Sequence, residues 1–160
     1  MIRMLRNRFK IINLMNGIPS ALVYSPKSDK NLWIGALEHD SHYFVADCDN
    51  FIAPQTIDAM VKTNLRVVAP LLRSTTPPFY SNYHAQIDSN GYLQEAVCYY
   101  HFLAQEIKGL IEVPVVHCTY LIRKEVLPSI KYADSSTRHE YVIFSDQLRK
   151  ALGCMSLTAS

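Results

Sequence analysis

The sequence lacks any apolar run near the ~20 residues that would span a bilayer. Its first apolar stretch, residues 11–15, follows a basic cluster (Arg3, Arg6, Arg8, Lys10) but is short and interrupted by Asn13. A secretory leader needs a longer run and a small-residue cleavage site, so the expectation is a soluble chain without a targeting signal. Charge of one sign is also scarce: the net charge is +2, which excludes a nucleic-acid binder working by bulk electrostatics. The four cysteines (Cys48, Cys98, Cys118, Cys154) form no C-x-x-C pair. A zinc cage and a dense disulfide framework are therefore not expected; the thiols read as reduced, small hydrophobes. Internal repeats, heptads and low-complexity segments are absent. What is present is an ordinary globular balance, 49% hydrophobic and 19% charged over 160 residues, enough for one core.

Residues 1–31 are the least readable, with a loop at Ser25-Pro26-Lys27-Ser28-Asp29-Lys30. A short helix is expected over 31–38, with Leu32, Trp33, Ala36 and Leu37 on one face. His42–Ala46 reads as a buried strand ending in the triplet Asp47-Cys48-Asp49. Pro54 opens a helix to about Thr63, with Ile57, Met60 and Val61 inward. A second buried strand over Leu65–Ala69 stops at Pro70, and residues 73–79 form a loop. Tyr80–Ile87 reads as extended, followed by an Asp88-Ser89-Asn90-Gly91 turn. Val113–Ile122 reads as one long strand, and helices follow over Lys124–Ile130 and Glu140–Leu152, the latter ended by Gly153. Such alternation predicts an α/β fold with a mostly parallel sheet. Ligands bind such sheets outside the carboxyl ends of the strands, where Asp47 and Asp49 fall.

Two carboxylates one residue apart at a strand end can hold a hard cation, Mn²⁺ or Mg²⁺, which keeps positions open for water and phosphate. Equally, they can be an acidic cluster capping the next helix through Asp49 or Asn50. His117, in an apolar run, is either a metal or substrate ligand or a hydrogen-bonded core histidine. Tyr80-Ser81-Asn82-Tyr83 mixes hydroxyls, an amide and rings, a combination suited to a sugar and equally to a plain strand. The aromatic run Tyr99-Tyr100-His101-Phe102 reads as core packing. Glu140 is electrostatically favoured at a helix start; it is also placed to serve as a general base.

Five pieces occur in order: Asp47-Cys48-Asp49-Asn50, Val67-Val68-Ala69-Pro70-Leu71-Leu72, Tyr80-Ser81-Asn82, Gly91-Tyr92, and Val113-Pro114-Val115-Val116-His117 continuing to Ile122. The succession resembles the first glycosyltransferase domain of the procollagen galactosyltransferases and related collagen-type glycosyltransferases, over about residues 32–152. The resemblance implies a GT-A, Rossmann-like nucleotide-diphospho-sugar transferase core. It implies transfer of galactose from a UDP-sugar to a hydroxyl of a protein or glycan acceptor, with inversion and a Mn²⁺ requirement. Carried over by position, Asp47 and Asp49 would bind metal and diphosphate. Asn50, Ser81, Asn82 and His117 would contact substrate, and Glu140 would be the base. His139 departs from the family pattern, which has an acid there. Relative to that family the expectation is a shortened core over 32–153, preceded by residues 1–31 and followed by a tail over 154–160. An incomplete sheet would leave an edge open to a partner.

Two other functions compete. A non-catalytic remnant would keep the sheet and bind a partner. A metal-dependent phosphohydrolase would use the same carboxylates on water, but would need a further acidic cluster.

Overall fold

The computed structural model describes residue 36, residues 40–47 and 49–152, and the backbone of 156–159. The expected helix over 31–38 lies outside the described residues except for Ala36, as do residues 1–31, Cys48, Gly153 and Cys154.

A five-stranded sheet runs in the order β1-β6-β2-β7-β4. Its strands are β1 (Tyr43–Ala46), β2 (Val67–Pro70), β4 (Gly109–Glu112), β6 (Thr119–Ile122) and β7 (Ser156–Ala159). A separate pair joins β3 (Tyr83–His84) to β5 (Val115–Val116). Side chains alternate along a strand, and here both faces are covered. Tyr43, Val45, Val67, Ala69, Tyr120 and Ile122 face one core, together with Phe144 and Leu148 of helix α3 (Glu140–Leu152). Phe44, Ala46, Val68 and Leu121 face the other, against Ile57 and Met60 of helix α1 (Pro54–Lys62). The uninterrupted apolar runs of β1 and β2 follow from this two-sided burial.

Helix α1 starts with proline in its first turn and lacks a side-chain cap; proline suits that position because no N–H is needed there. Around its far end Arg123 braces the chain, donating from its guanidinium to Val61 O and to Leu65 O just past the helix. Helix α3 matches the expected span at both ends.

Several expectations are corrected. The sheet is not mostly parallel: β6 is antiparallel to both β1 and β2, β4 is antiparallel to β7, and β2–β7 is the one parallel pairing among the described strands. The β1–α1–β2 unit does run its two strands in the same direction, as alternation requires, but β6 returns between them. The Val113–Ile122 run is two strands, broken at His117-Cys118, with Cys118 at φ +65. Its halves pair in different sheets. Pro70 is the last residue of β2 rather than its stop, and within Tyr80–Ile87 the strand proper is Tyr83–His84. Lys124–Ser129 is a 3₁₀ segment, consistent with Pro128 inside it. The expected tail supplies β7, seated between β2 and β4. Helix α2 (Val97–Leu103) and strand β4 were not anticipated. Within α2, Tyr99 and Phe102 pack on the core as expected, while Tyr100 is exposed.

Candidate functional site

The β1–β6 ladder continues one step beyond Ala46↔Thr119, where the Asp47 N–H donates to Cys118 O at 3.0 Å. The chain then turns, the Asn50 N–H donating to Asp47 O at 3.1 Å. Asn50 secures the turn through its side chain, Nδ2 to Thr119 Oγ1 at 2.8 Å. Asp47 is half-buried and Asp49 exposed. Both carboxylates act on one neighbour, the Cys118 thiol. Burial pushes that thiol up to about 12, helped by the charge of Asp47, a hydrogen bond to Asp47 and the charge of Asp49. It is therefore an uncharged thiol at neutral pH.

Opposite Asp47 lies a tight backbone turn. The Thr119 N–H donates to His117 O at 2.7 Å around Cys118, which stands in the left-handed region. This is the rare form of three-residue turn, costly for a side chain other than glycine, and such strain clusters at functional sites. His117 is held by its own N–H to Asn82 O at 2.9 Å and by Nδ1 against Cys118 Sγ at 2.7 Å. Burial, reinforced by neighbouring His84, lowers its pKa to about 4, so the imidazole is neutral at physiological pH.

Helix α3 enters from the other side. Ser145, fully buried, joins both the N–H and the C=O of Val116, pinning the helix to β5. Gly91, at φ +85, packs so closely that a Cβ there would lie 2.7 Å from Val142 Cγ1. Arg138 braces the approach with ion pairs to Asp134 at 2.7 Å and Asp146 at 3.2 Å. These contacts fix the first turn of α3, and with it Glu140.

The three elements enclose a cleft of about 220 Å³ into which Asp47, His117 and Glu140 all open. Tyr120, Tyr132 and Tyr141 wall it, so the chamber is mainly aromatic with acids at its border. Tyr120 and Tyr132 join hydroxyls at 3.1 Å and both stack on Phe144.

Ser81 and Asn82 do not line this cleft. Ser81 Oγ donates to Leu72 O at 2.6 Å. Asn82 is buried and spends its amide on the main chain: Nδ2 donates to Pro70 O (2.9 Å) and Thr119 O (3.4 Å), while Oδ1 accepts from the Leu72 N–H (2.9 Å). They act as struts between β2 and the His117 turn. Sequence reasoning missed Tyr141, Tyr120, Cys118 and His84. His84 is buried, its Nδ1 has no hydrogen-bond partner among the described residues, and its ring lies 6.0 Å from that of His117 and 5.9 Å from Tyr141. Its one signal was its position directly after the Tyr80–Tyr83 motif.

Among the described residues no group of three or more His, Cys, Asp and Glu is arranged to hold a metal. Of the two carboxylates of the triplet, Asp47 lines the cleft, whereas Asp49 is exposed and is not among the lining residues.

A mixed sheet flanked by helices, with acids following the first strand, defines a domain of the α/β class. Residues 11–153 match the model of glycosyltransferase family 25, N-terminal domain, and the chain belongs to that family. It is 30% identical over 116 residues to procollagen galactosyltransferase 1-A of Xenopus laevis, covering 71% of this chain and 18% of that protein. It is 34% identical over 87 residues to procollagen galactosyltransferase 1 of Danio rerio, covering 52% and 14%. It is also 36% identical over 78 residues to a probable inactive glycosyltransferase 25 family member 3 of Bos taurus, covering 48% and 13%. The chain thus spans less than a fifth of the length of these curated relatives. The resemblance carried by the ordered motifs is borne out at the level of the family. No helix among the described residues is long and apolar enough to cross a membrane.

Proposed function

We propose that this chain carries the catalytic core of a GT-A-type hexosyltransferase. It would transfer galactose from a UDP-sugar to a hydroxyl of a protein acceptor of the procollagen kind, with inversion. The observation that supports this most directly is the shared cleft of Asp47, His117 and Glu140. The parallel direction of β1 and β2 around α1, with the acids at the carboxyl end of β1, agrees with a nucleotide-sugar fold.

In this reading Asp47 and Asp49 hold Mn²⁺ or Mg²⁺, which when bound neutralises the diphosphate leaving group as a Lewis acid. Asn50 keeps the acid turn in position through Thr119. Glu140, at the border of the cleft, takes the proton of the acceptor hydroxyl as it attacks. Neutral His117 offers a hydrogen bond to a sugar hydroxyl without adding charge. Ser81 and Asn82 serve the substrate one step removed, by fixing the backbone that carries His117. The tyrosine walls exclude water, which favours transfer over hydrolysis of the donor.

Calorimetric titration of UDP, first with Mn²⁺ and then with EDTA, tests the reading. Binding is expected to require the metal. Asp47→Ala and Asp49→Ala should each abolish it while leaving the circular dichroism spectrum unchanged. Equal UDP affinity in both variants would sink the site assignment.

A second reading is favoured by the relatives named as inactive, which match at similar identity. In it the domain is a non-catalytic binding module. Metal-dependent UDP binding without transfer or hydrolysis of any UDP-sugar would select it.

A further inference from the structure

Strand β4 closes one side of the main sheet. It pairs with β7, and among the described strands none pairs with its other side. An open edge presents a row of unpaired N–H and C=O groups, a template for a further strand. Proteins blunt such edges with proline, a bulge or a lone charge. Here a charge does stand at the entrance, Lys108, but its opposite, Glu112, stands at the exit. Lys108, Gly109, Leu110 and Glu112 are exposed, Leu110 by 52%, and Ile111 is half-buried on the larger core. The space beside Gly109 is open, since a Cβ there would meet nothing within 4 Å. Neither Lys108 nor Glu112 joins an ion pair among the described residues.

Read in both directions, Lys108-Gly109-Leu110-Ile111-Glu112 is complementary to itself in charge. We propose that β4 pairs antiparallel with β4 of a second copy of this chain, about a two-fold axis at Leu110. In that register Leu110 meets Leu110 of the second copy, and Ile111 lies opposite the open space at Gly109. Glu112 stands level with Lys108 on both sides of the axis. Gly109, at φ +107, carries the chain into the strand, and the long flexible stem of Lys108 lets its ammonium reach the carboxylate.

Other registers lose this match. A shift by two residues sets Glu112 against Glu106, or Lys108 against Pro114, which has no N–H to give. A shift by four sets Lys108 against Lys108, or Glu112 against Glu112. Opposite charges directly across an antiparallel pair stabilise it and like charges destabilise it, so the charges select the one register centred on Leu110. The interface is isologous, as a two-fold dimer requires. A single short strand buries little area, which makes the association weak and concentration-dependent. The inference stands apart from the catalytic reading, because no residue of β4 lines the cleft.

Sedimentation equilibrium of the chain at low and at high salt tests it. The wild type should show a monomer–dimer equilibrium that salt weakens. Lys108→Glu and Glu112→Lys should each weaken self-association roughly tenfold, because two attractive pairs become two repulsive ones. An equimolar mixture of these two variants should recover the dimer, since one then carries only acids and the other only bases at the paired positions. The double variant Lys108→Glu/Glu112→Lys should recover it alone. Both side chains are exposed, so the fold should survive, which circular dichroism checks. A wild type that stays monomeric up to its solubility limit overturns the pairing. Single variants that associate as the wild type does overturn it as well, as do a mixture and a double variant that both stay monomeric.

Discussion

His117 shows how a single side chain is set by its surroundings. Its half-buried ring packs against Cys118, His84 and Tyr141, and His84 and His42 also have lowered pKa values, burial being the leading cause in each. All three take a proton more readily in the unfolded chain, where the ordinary value is 6.5, than in the folded one. As pH drops below 6.5 toward the folded-state value of about 4 for His117, the unfolded state binds the extra protons. Stability is therefore complete above this window and declines through it. Thermal unfolding followed from about pH 7 to about pH 4.5 should show a falling midpoint, and His117→Gln should flatten the curve. A midpoint independent of pH over that range would contradict the neutral state of these rings. Asn82 makes a second case at this scale. Replacing it with alanine strands the Leu72 N–H and the Pro70 carbonyl, each a loss of about 1–3 kcal/mol if left unpaired. The urea midpoint should drop accordingly with an unchanged slope; a near-wild-type midpoint would mean water replaces the amide at little cost.

Elements differ in how plainly the sequence announces them, and the reasons are physical. Strand β1 was legible as an unbroken apolar run buried on both faces, and helices α1 and α3 because burial on one face leaves a periodic apolar pattern. Proline at the start of α1 and Glu140 at the start of α3 supplied their boundaries. Helix α2 was not legible: Val97, Cys98, Tyr99, Tyr100 and Phe102 prefer strands by propensity, and Ala96 offers no cap. Strand β4 is short and largely exposed, so alternation had nothing to mark. The break at His117-Cys118 hid inside an apolar run, because pattern reports burial and does not report a backbone angle. The site divides in the same way. Asp47, Asp49, His117 and Glu140 stood out as residue types, yet only the turn at Cys118 and the Ser145 clamp bring three of them to one cleft. Tyr120, Tyr132 and Tyr141 were indistinguishable from the rest of ten tyrosines.

At the scale of the whole molecule, the sheet separates two unequal cores. The larger contains Phe144, fully buried and stacked against both Tyr120 and Tyr132, with ring centroids at 4.7 and 5.0 Å. Phe144→Ala should cost about 3–5 kcal/mol, the usual range for such a deletion. Because two walls of the cleft rest on that ring, UDP affinity should fall along with the thermal midpoint. Loss of stability with fully retained affinity would show that the tyrosine walls hold without it. The organisation of the sheet also explains why alternation misled. A helix between two strands dictates their common direction, but not whether a third strand, far along the chain, will return between them.

That returning strand has a further consequence. Asp47 and the His117 turn sit on neighbouring strands of opposite direction, so the pairing of β1 with β6 acts as a ruler for the site. A slip by two residues would keep every side chain on its own face and leave both cores nearly content. It would also carry the carboxylate about 7 Å from the imidazole turn. Burial alone does not forbid that error. The polar latch from Asn50, on the chain leaving β1, to Thr119 of β6 does, since it closes on the residue whose register decides where the acid stands.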